Sequence, residues 1–269
     1  LIAVEAILRN SSYEPSDVHI TAIDTGLLWT SDAIVPIMDA FRLALLNRRF
    51  NEIYCGVKTE RETGSRGMNT LQKLIAVLTN AVSDPVRILA CRAIANAAVH
   101  RWGREMLMNG LNDSLAVVIS QLSSRKEALQ LAAASAAANW SLLLLRHSES
   151  STADESSLRR DMTKTLVKYL KMTESFGGYS EATKIRILQA LATVMWGDIA
   201  VIKVAKEADV VGTVNRVKDA LVAECGKAIA RDIVGMSALT LTTQAMADLP
   251  KPELEAGSNE EVGVRRSDV

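Results

Sequence analysis

Residues 84–145 read DPVRILACRAIANAAVHRWGREMLMNGLNDSLAVVISQLSSRKEALQLAAASAAANWSLLLL, and two alanine-rich runs in this stretch leave few folds open. Alanine is the strongest helix former and the smallest side chain, so these runs predict helices whose backbones approach one another closely. In the first run Leu89, Ala93 and Ala97 share one stripe, and Arg92 shares another with Asn96. In the second, Ala132, Ser135 and Asn139 form a stripe of small side chains. Helices of this kind suit side-by-side stacking in a solenoid. Asp84 before Pro85 predicts a capped start for the first helix. Ser124 and Glu127 have capping-box spacing, which predicts that the second opens there.

The rest of the chain agrees with an all-α reading. Only 4% of residues are aromatic and five are proline, while alanine, leucine and valine supply most of the 48% hydrophobic content. Lys+Arg and Asp+Glu both number 31, so no overall charge calls for nucleic acid or an anionic membrane. The cysteines Cys55, Cys91 and Cys225 lie far apart without metal-ligand spacing, which suggests free thiols in a reducing compartment. No apolar run is read as a membrane span. Asn139-Trp140-Ser141 matches a glycosylation acceptor, but a buried helix is the wrong place for one.

In chain order, 1–30 reads as an N-terminal extension with a short helix over 1–8 and Trp29 as a core anchor. A helix is predicted over 33–47, with Arg48 and Arg49 closing it where cations suit the C-terminal dipole. A helical turn at 51–55, a polar loop at 56–67 and an amphipathic helix at 68–82 follow. Short helices at 104–108 and 115–122 separate the two alanine-rich ones. After a serine-rich loop at 147–157, helices are predicted over 157–172, 181–196, 198–207, 210–222 and 224–247. Residues 249–269 read as a flexible tail.

Long helices thus begin near 33, 85, 125, 181 and 224. Their spacing of about 40 to 55 residues is the period of armadillo or HEAT arrays stretched by insertions. The expected fold is an armadillo-like right-handed helical solenoid of about five to six repeats over 31–248.

Four segments then carry a family resemblance: AIVPIMDAFRLALLNRRFNEIYC (33–55), ILACRAIANAAVHRWGREMLM (88–108), LQLAAASAAANWSLLLL (129–145) and ATKIRILQALATV (182–194). In order and spacing they resemble the PUL domain, the armadillo-like C-terminal domain of the phospholipase-activating-protein family of ubiquitin adaptors. The resemblance rests on Phe41-Arg42-Leu43, Asn51-Glu52, Arg92 with Asn96, Gly103-Arg104, Asn139-Trp140-Ser141 and Arg186. The chain departs from the family at Arg48-Arg49, where a histidine-proline is usual. It also departs at Trp140, usually tyrosine, and at Ala192, usually glycine.

The resemblance implies binding without catalysis. Its expected partner is the C-terminal tail of the valosin-containing AAA ATPase, held in a basic concave groove, with ubiquitin reached only through other domains. It implies no cofactor, no metal, no nucleic acid and no membrane, a monomer, and a cytoplasmic and nuclear location. Arginine forks match carboxylates well. Arg42, Arg92 and Arg186 are therefore the expected contacts to an acidic tail, with Asn96 and Asn139 bonding its backbone. The plainer alternative pairs the arginines with internal carboxylates and lets the asparagines tie down helix ends.

An enzyme reading finds no motif: His19, His100 and His147 stand beside no nucleophile signature, phosphate loop or HExxH. Two other readings stay open. One is an accessory domain of a thiol hydrolase or a thioredoxin-fused protein. The other is an armadillo scaffold for import signals, although those arrays place tryptophan where Arg92 and Ser135 stand.

Overall fold

The computed structural model describes residues 13–30, 33–56, 66–81, 83–148, 153–172, 178–216 and 220–247, and among them there is helix and no strand. The expected helix over 1–8 and the tail at 249–269 lie outside the described residues. The helices are α1 (Asp17–Gly26), α2 (Val35–Ala44), α3 (Arg48–Cys55), α4 (Arg66–Asn80), α5 (Asp84–Ala97), α6 (Arg101–Asn109) and α7 (Leu111–Ser120). A 3-10 turn (Gln121–Ser123) leads into α8 (Glu127–Ser148), α9 (Ala153–Met172), α10 (Glu181–Met195), α11 (Ile199–Glu207), α12 (Val210–Asn215) and α13 (Ala220–Ala247).

Five helices form an inner row in chain order: α2 packs on α5, α5 on α8, α8 on α10 and α10 on α13. The intervening helices form the outer layer, with α3 and α4 over the first repeats and α9 and α11 over the last. This stacking is the all-α solenoid implied by the repeat period. Its core changes character along the stack. At the first end Phe41, Phe50 and Tyr54 are buried together, with Phe41 edge-on to Tyr54 at 5.2 Å between centroids. In the middle, α8 buries Ala132, Ala133, Ala134, Ala136 and Ala137 against its neighbours. Small side chains there make the close approach possible, as the alanine runs require.

Several local expectations are corrected. Arg48 and Arg49 do not close α2, which ends at Ala44. They open α3 instead, because the Asn47 side chain accepts the Arg49 and Phe50 N–H groups and caps a new helix. Ser83, rather than Asp84, occupies the cap position of α5; Asp84 lies in the first turn and pairs with Arg87. Ser124 forms no capping box with Glu127; its hydroxyl accepts the Lys126 N–H. Trp29 is no core anchor, being 49% exposed. Helix α8 is also long and apolar enough to cross a membrane, with mean hydropathy 1.4 over Glu127–Arg146. Most of it is buried between α5 and α10, which makes it the core helix of the stack.

Candidate functional site

The inner row has an open face, traced on each helix by a stripe of exposed and half-buried residues. On α2 the stripe includes Asp39 and Arg42, on α5 Ile88, Arg92 and Asn96, on α8 Leu131, Ser135 and Asn139, and on α10 Arg186, Gln189 and Thr193. The spacing of three and four within each stripe is the helical repeat that the sequence showed. All five expected contact residues therefore lie on this face.

Two hydrogen bonds set the register across it. Asn96 donates its side-chain amide to the Arg42 carbonyl at 2.7 Å, joining α5 to α2. Asn139 does the same to the Ala95 carbonyl at 2.9 Å, joining α8 to α5. Each amide nitrogen thus ties down the last turn of the preceding helix, as the plainer reading of the asparagines held. The carboxamide oxygens of Asn96 and Asn139 make no hydrogen bond among the described residues, and each remains able to accept a peptide N–H.

The arginines differ. Arg42 is held by its own acidic neighbour: its Nε donates to Asp39 Oδ1 at 2.7 Å, and only a fifth of its side chain is exposed. Arg92 is exposed and has no carboxylate partner among the described residues. Arg186 is exposed and donates to Gln189 Oε1 at 2.9 Å, a neutral partner that a carboxylate displaces readily. With α8 between them, the axes of α5 and α10, which carry Arg92 and Arg186, lie about 16–20 Å apart, taking about 8–10 Å per helix contact. The two arginines cannot grip one carboxylate. An extended chain of about six residues spans them at about 3.3 Å per residue.

Three exposed apolar side chains, missed in the sequence, flank this row. Val99 is 52% exposed, Leu142 41% and Trp196 71%. Val99 and Leu142 each stand three residues beyond an asparagine of the face, a spacing that could have revealed them. Outer-layer side chains pin the helix ends that carry two of them. Arg104 donates to the Ala98 and Val99 carbonyls, at 3.3 and 2.8 Å. The buried Arg159 donates to the Val194 and Trp196 carbonyls at 2.8 and 2.6 Å, with Asp198 3.5 Å away. Burial lowers the Arg159 pKa, and the Asp198 charge opposes that shift.

The segment Asn51-Glu52 and the step Gly103-Arg104 prove to be one joint. Asn51 is fully buried, donates to the Leu45 and Ala97 carbonyls, and accepts the Gly103 N–H. His100 Nε2 lies 2.8 Å from the Leu46 carbonyl at the same junction. These residues hold repeats together and do not face the open side.

Burial pushes the thiols of Cys55 and Cys91 up to about 12, which keeps them protonated. Among the described residues no group of three His, Cys, Asp or Glu side chains is placed to hold a metal ion.

Comparison with known proteins adds the following. A family model described as the PUL domain matches residues 1–228. The Ubiquitin fusion degradation protein 3 homolog of Caenorhabditis elegans is 38% identical over 236 residues, which is 86% of this chain and 26% of that protein. The chain therefore spans about a quarter of that relative's length. Among solved structures, an engineered protein gives a TM-score of 0.48 at 15% identity, covering 86% of this chain and 98% of the other. A designed armadillo repeat protein gives 0.38 at 14% identity, covering 79% and 98%.

Proposed function

Because the chain belongs to the PUL domain family, we propose that it is a non-catalytic protein-interaction domain of the ubiquitin pathway. Its ligand is the acidic C-terminal tail of the valosin-containing AAA ATPase, laid across the open face of the inner row. Arg92 and Arg186 pair with tail carboxylates at separate points. The oxygens of Asn96 and Asn139 accept N–H groups of the extended tail between them. The relative's name, a ubiquitin fusion degradation protein, supports the pathway. Ubiquitin itself is reached through other domains.

One observation carries the reading of the face. An exposed arginine without a carboxylate partner stands one helical turn from an asparagine whose oxygen is open, and the pattern of asparagine and register bond repeats on the next helix. Such a row recognises a strand by its backbone and its charge together. Arg42 contributes less, because Asp39 already neutralises it.

Titration of the domain with a synthetic tail peptide tests this. Arg186→Ala and Arg92→Ala are each expected to weaken binding by about 1.5–3 kcal/mol, tenfold or more, with the fold intact. Wild-type affinity in both variants would remove the open face from tail recognition.

A further inference from the structure

A second cationic site lies at the edge of the stack, where α2 turns into α3 and α5 turns into α6. The Arg48 guanidinium carbon sits 5.8 Å from the centroid of the Trp102 ring, and that of Arg101 sits 4.4 Å from it. Both arginines are exposed, and neither has a carboxylate partner among the described residues. Most acidic groups near other arginines of the chain are engaged: Asp39 with Arg42, Asp24 with Arg66, Asp84 with Arg87. Beside Arg48, the carboxylates of Glu52 and Glu14 are taken by Arg49, at 2.8 and 3.6 Å.

The folded chain alone gains little from this placement. Arg48 and Arg101 are the first residues of α3 and α6, where the positive end of each helix dipole disfavours a cation. Two like charges share one indole. The ring attracts each of them, but it cannot neutralise them. It does bring both guanidinium groups beside one ring, where each can offer forked bonds to a carboxylate.

We infer that Arg48, Trp102 and Arg101 form a clamp for paired carboxylates of an acidic peptide segment. The occupant follows from charge complementarity: two neighbouring guanidinium groups with no carboxylate partner among the described residues call for a run of Asp or Glu side chains. The clamp is built by equivalent turns of two consecutive repeats, two residues beyond Leu46 and Val99 at the end of the open face. It lies past the C-terminal ends of α2 and α5, beside the open face and outside the line from Arg92 to Arg186. The inference rests on the tail reading only in assigning both sites to one strand; the clamp's chemistry stands by itself.

The test is fluorescence anisotropy of labelled decaglutamate titrated with the whole chain at low and moderate salt. Wild type is expected to bind with an affinity that falls as salt rises. Arg48→Glu/Arg101→Glu is expected to bind at least about tenfold more weakly. Arg48→Gln/Arg101→Gln, which removes charge without reversing it, is expected to show a smaller loss of the same sign. Thermal melts report whether each variant is folded. No binding by wild type, or unchanged binding by the folded glutamine variant, overturns the clamp. Loss of decaglutamate binding only in Arg92→Ala/Arg186→Ala also overturns it, and leaves the open face standing. Loss at Arg48 and Arg101, in a domain that ignores the ATPase tail peptide, upholds the clamp and removes the tail reading.

Discussion

Asn51 Oδ1 accepts the main-chain N–H of Gly103 at 3.0 Å, fixing the outer helices α3 and α6 against each other from inside the protein. The same side chain donates to the Leu45 carbonyl at 3.1 Å and the Ala97 carbonyl at 3.0 Å, so it also gathers the ends of α2 and α5. Asn51→Leu leaves three buried main-chain groups without partners. At about 1–3 kcal/mol for each unsatisfied group, the expected loss is at least about 3 kcal/mol. Urea unfolding measures it, and a loss below about 1 kcal/mol would contradict the role assigned to this joint.

Gly103 also serves by what it lacks. A Cβ at this position would overlap the Ala97 carbonyl, which is main chain and cannot rotate away. Gly103→Ala should therefore separate α6 from α5 and lengthen the bond to Asn51. The expected cost is about 3 kcal/mol or more, in the range of overpacked cores. Thermal unfolding beside an exposed control such as Lys73→Ala gives the comparison.

The two arginines on the first half of the open face should behave differently. Arg42 is held by Asp39 and is mostly buried, whereas Arg92 is exposed without a carboxylate among the described residues. Arg42→Ala is expected to change tail-peptide affinity less than about threefold, against tenfold or more for Arg92→Ala. Asp39→Asn releases Arg42 and should strengthen binding of an acidic peptide. Isothermal titration of the three variants decides it, and equal losses at Arg42 and Arg92 would mean that Asp39 yields its partner to the ligand.

Burial raises the Cys55 and Cys91 thiols from 9.0 to about 12. The folded chain then keeps protons that the unfolded chain releases. The stability this contributes is complete below about pH 9 and is lost as pH rises from 9 toward 12, at up to about 1.4 kcal/mol per pH unit for each thiol. Urea melts at pH 8 and pH 10 should show a fall that is smaller in Cys55→Ala/Cys91→Ala. At pH 8 iodoacetamide should spare both thiols in the folded chain and modify them in urea; rapid labelling of either under native conditions would refute their burial.

The sequence by itself determined the stack. Alanine runs predict closely packed helices, helix starts near 33, 85, 125, 181 and 224 fix a repeat, and stripes at three and four residues put Arg92 with Asn96 and Ser135 with Asn139 on single helix faces. These are local properties, set by propensity and helical period. Partnership was decided only in three dimensions. Whether Arg42 is neutralised, whether Asn51 binds peptide or main chain, and whether Arg48 closes one helix or opens the next all depend on what a distant segment brings within about 3 Å. The Arg48–Trp102–Arg101 cluster is the clearest case: two turns in different repeats meet because α2 lies against α5, and hydrogen bonds and charge contacts fall off over distances far shorter than the separation of those residues along the chain.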